Sequence, residues 1–121
     1  MVSAVQSGCG EPVTGRQVDP TPNAFHYEAT FHGATGRERH TWRISGDRAV
    51  VAWEGTALER GVVEIVLEDA AGVEVYSERA GAQSVPAQGV TERGEPGQWT
   101  VTVRYTDAEG HAAVAVTGYT G

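Results

Sequence analysis

Lysine is missing from this chain: all nine basic residues are arginine. Beside the abundance of Ala, Gly and Val, that reads as a GC-rich coding preference rather than a sign of function. Cysteine occurs once, as Cys9. One thiol excludes an internal disulfide, so a core has to stand on packing alone. No apolar run approaches the ~20 residues of a membrane-spanning helix. Positive charge is scarce, with 9 basic residues against 16 acidic ones and a formal charge of −7. Phosphate recognition needs a positive face, so this balance argues against nucleic acid and anionic membrane surfaces as partners. Helical periodicity is nowhere sustained. Catalytic signatures are missing too: there is no G-x-S-x-G, no H-E-x-x-H and no phosphate-cradling glycine loop.

What the chain does have is period-two alternation. Its 121 residues suit one domain, and a globule of that size buries roughly two-thirds of its unfolded surface. In "FHYEATF" Phe25, Tyr27, Ala29 and Phe31 share one face, with His26, Glu28, Thr30 and His32 on the other. Trp42 and Ile44 oppose Arg43, and Val63, Ile65 and Leu67 oppose Glu64 and Glu68. "WTVTVRY" sets Trp99, Val101, Val103 and Tyr105 against Thr100, Thr102 and Arg104. "VVAWEG" (50–55) reads as a mostly buried strand. Such residues suit a pleated, half-buried surface.

Between these runs stand turn residues: "GATG" (33–36), "SGD" (45–47), "DAAG" (69–72) and "DAEG" (107–110). "VEIVLEDAAGVEV" and "VTVRYTDAEGHAA" share one pattern and read as two β-hairpins of similar construction. The expected strands are 25–32, 39–45, 49–55, 61–68, 73–78, 98–106 and 111–119, with an edge strand at 84–91 inside the weakly patterned stretch 79–98. Seven or eight short strands with one-sided alternation predict an all-β fold, a two-sheet antiparallel β-sandwich over residues 25–121.

"GQWTVTVRYTDAEGHAAVAVTG" resembles the closing hairpin of bacterial immunoglobulin-like surface domains. "PGQWTV" is similar to a strand of jelly-roll accessory domains on secreted bacterial proteins, which makes jelly-roll the alternative topology. The likeness covers about 25 residues, and the chain lacks the cysteine pair of antibody-type domains. It implies a non-catalytic accessory or adhesion module outside the cytoplasm.

Ser7-Gly8-Cys9 resembles the lipobox ending of bacterial lipoproteins, which implies Cys9 as a lipidation site in the periplasm or at the cell surface. Gln6 stands where an aliphatic residue is usual, and Met1 to Val5 is shorter than a signal peptide. Residues 10–24, with Pro12, Pro20 and Pro22 and no alternation, read as extended tether, because proline excludes regular strand and helix. Residues 1–24 are thus expected to be a flexible leader.

The remaining chemistry lies in histidines, carboxylates and tyrosines. His26 and His32 share a face but stand roughly 20 Å apart along a strand, so each needs a partner such as His40 or His111 to hold copper or zinc. Asp47, Asp69 and Asp107 lack calcium-loop spacing and read as turn formers. Glu59, Glu92 and Glu95 fall in loops, where acidic residues mainly solubilise. Tyr76 and Tyr119 face outward by parity and are candidate contact aromatics. The expected function is a binding or scaffolding module with no cofactor, taking a protein or polysaccharide at the cell surface and touching membrane only through a lipid anchor. The alternative is a His-dependent copper or zinc binding protein.

Overall fold

The computed structural model describes residues 12–119; Cys9 and the residues around it lie outside that range. Among the described residues seven strands make one antiparallel sheet: β1 Val13–Thr21, β2 Ala24–Ile44, β3 Arg48–Trp53, β4 Ala57–Glu68, β5 Glu74–Gly81, β6 Gly89–Val90 and β7 Gly97–Tyr119. The fold is all-β, as the alternation requires. β7 is its spine. One edge pairs with β2 from Ala24 opposite Thr117 to Ile44 opposite Gly97. The other edge takes β3 at its C-terminal end and β4 along the rest. At the break between β3 and β4, Thr56 Oγ1 accepts from the Ala113 amide and donates to the Ala113 carbonyl, each at 3.1 Å.

All three long runs bend at one level. The β2–β7 ladder shifts register between His32 and Gly36, and the β4–β7 ladder between Leu58 and Val62. Gly33, Gly61, Asp107 and Gly110 take positive φ there. Bulges of this kind bend a strand and raise its twist. The sheet thus folds into two layers, with strands passing from one to the other through the corner. Layer one holds β1, β2 before the bend, β7 after it, β3 and β6; layer two holds the rest of β2 and β7, β4 beyond Gly61, and β5.

The residues expected to face inward do so. Phe25, Tyr27, Ala29, Phe31, Trp42, Ile44, Val63, Ile65, Leu67, Trp99, Val101, Val103 and Tyr105 are all buried. They form one core cluster across both layers. Trp42 and Trp99 pair across β2–β7 and meet edge to face at 6.0 Å, and Phe25 reaches Trp42 from the other layer at 6.3 Å. Each indole N–H finds a carbonyl, Trp42 that of Thr21 and Trp99 that of Glu95.

Four expectations need correction. "GATG" and "DAEG" are not turns; they are the facing bulges of the bend, so β2 and β7 each merge two expected strands. The similarity to a closing hairpin at 97–119 therefore falls on one continuous strand. Residues 13–21, expected as tether, pair with β2 as β1. A proline has no N–H to donate but keeps its carbonyl acceptor, a loss that an edge strand tolerates. The expected edge strand at 84–91 shrinks to Gly89–Val90 against β3. The segment after it runs between the layer edges, its amides at Thr91, Glu92 and Gly94 donating to the carbonyls of Ala49, Val75 and Asp47.

The "DAAG" hairpin joins β4 to β5 as expected. Asp69 holds it: Oδ1 accepts from the amides of Ala71 and Val73, and Oδ2 from that of Glu95. Those backbone donors, Glu95 foremost, keep its carboxyl below the usual aspartate range. A lowered pKa stabilises the fold above the ordinary value of 3.8 and loses that effect as pH falls through the folded-state value. Asp69→Ala is expected to lower the melting temperature at neutral pH, and the gap to wild type should narrow at about pH 2. Calorimetry at both pH values checks this.

Candidate functional site

The densest polar constellation centres on Glu38. The bend sends β2 into layer two with Glu38, His40, Trp42 and Ile44 on its inner side. Trp42 and Ile44 reach the core, whereas Glu38 and His40 lie at the open side between β2 and β1. The Glu38 side chain is only 12 % exposed. Its Oε2 accepts from Tyr27 Oη at 3.0 Å and Tyr105 Oη at 3.1 Å. The same oxygen accepts from Arg16 Nε at 3.0 Å and pairs with Nη2 at 2.9 Å. Oε1 meets His40 Nε2 at 3.0 Å. A carboxylate only accepts, so that imidazole nitrogen carries the proton.

Burial alone would raise the Glu38 carboxyl. The hydrogen bonds from His40, Tyr27 and Arg16, with the Arg16 charge, outweigh it and hold the group below the usual glutamate range. Burial and then the Glu38 charge push the phenols of Tyr27 and Tyr105 upward. At neutral pH the centre is an ionised carboxylate among saturated donors. Such a group is a poor base, because taking a proton means surrendering those bonds. Its evident work is to fasten β1 to layer two, and an inward charge on an edge strand also discourages pairing with other chains.

The four histidines go to different places. His32 Nε2 meets Thr14 Oγ1 at 2.9 Å, and His40 belongs to the Glu38 centre. On the outer side of layer one, Glu28 lies 3.3 Å from His111 Nε2 and 4.0 Å from His26 Nε2, with Thr30 Oγ1 3.1 Å from His111 Nδ1. Among the described residues no group of three or more His, Cys, Asp or Glu side chains is arranged to hold a metal ion. Tyr76 departs from its expected outward position. The bulge between Leu67 and Glu68 resets the parity of β5, so Tyr76 stands opposite Leu67, packs against the core and accepts from Trp53 Nε1 at 3.1 Å. Tyr119 is exposed, with the Arg48 guanidinium 5.0 Å from its ring centre. Asp107 pairs with Arg60 at 3.2 Å beside the bend, and Asp47 lies 3.7 Å from Arg48.

The surface also holds a pattern that net charge conceals. Arg37, Arg39 and Arg43 of β2, Arg104 of β7 and Arg79 of β5 share the outer face of layer two. Five of the nine arginines thus stand there against Glu64, Glu68 and Glu74, while the rest of the described residues hold twelve carboxylates and the other four arginines. Arg104 reaches Glu64 at 3.5 Å and Arg39 reaches Glu68 at 3.7 Å. Among the described residues Arg37, Arg43 and Arg79 have no ion-pair partner. The clefts here are shallow. One of about 220 Å³ lies between Arg79 and Arg104, and another, of about 330 Å³, is bounded by Pro20, Pro22 and Trp42.

Fold and surface together define the class, an all-β antiparallel sandwich. No family model matches the chain, and no curated protein is significantly similar to it.

Proposed function

We propose that the chain is a non-catalytic binding or scaffolding module that works outside the cytoplasm and takes its ligand on a sheet face rather than in a pocket. The observation that supports it is the gathering of five arginines on the outer face of layer two of an otherwise acidic protein. A stiff, hydrogen-bonded sheet presents those side chains in fixed register, which is what a binding face needs. The saturated state of Glu38 fits the same reading, since the richest polar cluster is spent on structure. The extracytoplasmic setting draws on Ser7-Gly8-Cys9 and on the likeness to bacterial surface accessory domains. In that setting Cys9 would carry the lipid.

The test is a binding panel with chemical follow-up. Immobilised protein is presented with neutral and charged polysaccharides and with purified surface proteins, and each bound ligand is recovered and analysed by chromatography and mass. Saturable binding with the ligand returned intact is the expected outcome. Recovery of a cleaved or altered ligand, at a rate set by protein concentration, would overturn the reading.

A further inference from the structure

Resting on the binding-module reading, we infer that the outer face of layer two recognises an extended acidic polysaccharide, through guanidinium contacts to its carboxylate or sulfate groups. Arg37, Arg104, Glu64 and Arg79 stand opposite one another in one row across four neighbouring strands. At ~4.8 Å between strands the row is roughly 14 Å wide. Arg39 and Arg43 continue the positive charge along β2, for roughly 20 Å from Arg37 to Arg43 at ~3.4 Å per residue. Like charges directly opposite in a sheet are destabilising, and Arg37 directly faces Arg104. An anion between those guanidiniums relieves that repulsion and accepts paired N–H bonds from a planar fork.

Three features select the class of partner. The first is shape: the cleft of about 220 Å³ lined by Val62, Glu64, Arg79, Arg104 and Thr106 is half-enclosed, so it suits one unit of a chain lying across the face, its anionic group on the arginines and a hydroxyl toward Glu64. The second is the filling between the arginines. Thr41, Thr100, Thr106 and Ser77 supply hydroxyls that match sugar hydroxyls, and no aromatic side chain among the described residues of this face offers a stacking platform for bases. The third is electrostatic. Beyond this face, among the described residues, carboxylates outnumber arginines twelve to four, so a bulky polyanion is repelled while a thin chain touching only layer two is not. Net charge argued against anionic partners; its distribution reverses that for one face.

The test uses isothermal titration and affinity electrophoresis with polygalacturonate as the carboxylate probe, dextran sulfate as the sulfate probe and neutral dextran as control. The triple variant Arg37→Gln, Arg79→Gln, Arg104→Gln is compared with the off-face double variant Arg60→Gln, Arg93→Gln, both checked for folding by circular dichroism. Wild type is expected to bind at least one charged probe and not dextran, more weakly as salt rises. The triple variant should lose at least ten-fold in affinity, and the double variant less than two-fold. Arg37→Gln alone should leave the melting temperature unchanged or higher. Equal losses in both variants, or no preference for charged probes over dextran, would overturn the inference. Tighter binding to poly-glutamate, to oligo-dT or to phosphatidylserine vesicles overturns the polysaccharide class while leaving the binding-module reading in place. Recovery of shortened polygalacturonate overturns that reading instead.

Discussion

Gly61→Ala and Gly110→Ala are expected to unfold the domain. Both glycines sit where β4 and β7 turn through the corner between layers, at φ +80° and +130°. A methyl group on Gly61 would run into the Asp107 carbonyl. One on Gly110 would overlap the Ala57 carbonyl and stand 2.8 Å from Leu58 Cα. These are backbone atoms in paired strands, so relief means opening the ladder. Left-handed backbone costs an L-residue about 1–2 kcal/mol by itself, and the clash brings the total above about 4 kcal/mol. That rivals the ~5–15 kcal/mol by which such domains are stable. Gly55→Ala and Gly72→Ala are the controls: φ is +58° and +83°, and nothing lies within 4 Å of the added carbon. They should cost only about 1 kcal/mol. Urea midpoints distinguish the two pairs, with a collapsed signal or loss of soluble protein for the corner variants. If Gly61→Ala unfolds within about 1 kcal/mol of Gly55→Ala, the corner is looser than its geometry implies.

The same corner shows why the fold was legible in the sequence and its topology was not. Alternation is a local signal, and each inward position it marked, from Phe25 to Tyr105, is buried. Turn chemistry is local too, but ambiguous. "DAAG" and "DAEG" carry the same residues for the same reason: Asp and Gly permit positive φ and bond to nearby backbone. At 69–72 Asp69 collects three amides and the chain reverses; at 107–110 the chain passes through a bulge, because β2 on one side and β4 on the other hold it in register. Only the neighbours decide, and they come from 72 and 47 positions away, Thr35 accepting from the Asp107 amide and Arg60 binding its carboxylate. β1 is hidden in the sequence for a related reason. Its prolines speak for its own backbone, whereas its pairing depends on the free edge of β2.

The two site features differ in how far the sequence announces them. For the arginine face the sequence held the parity but not the strand neighbours. Arg37, Arg39 and Arg43 alternate along one strand, and Arg104 was already outward in "WTVTVRY", yet Arg79 joins them only because β5 lies beside β4. The Glu38 centre was harder still. Arg16 lies in a stretch that by composition reads as tether, and Tyr27 and Tyr105 read by parity as core. Following the parity of Trp42 and Ile44 backward places His40 and Glu38 inward, and an inward charged residue on a strand was the one signal that could have exposed the centre.

Glu38→Ala should therefore cost more than its position near the surface suggests. The substitution strips the acceptor from Tyr27, Tyr105, Arg16 and His40 together. A lost buried acceptor costs about 1–3 kcal/mol, and more when its partner is charged. Arg16, at 43 % side-chain exposure, can turn to solvent and moderates the loss, so about 3 kcal/mol is expected for Glu38→Ala and about half that for Glu38→Gln, which keeps one carbonyl acceptor. The pH dependence separates charge from packing. Because the folded-state carboxyl titrates below its ordinary 4.5, its stabilisation is complete above that value and is lost as pH falls through the folded-state pKa. Wild type and Glu38→Gln should thus converge in acid. The raised phenols act at the other extreme: Tyr27 and Tyr105 ionise more readily in the unfolded chain, so stability should fall as pH rises past about 10. Urea titrations from pH 2 to 11 read both limbs. A wild type to Glu38→Gln difference that persists undiminished at the acid end would assign the effect to shape rather than charge.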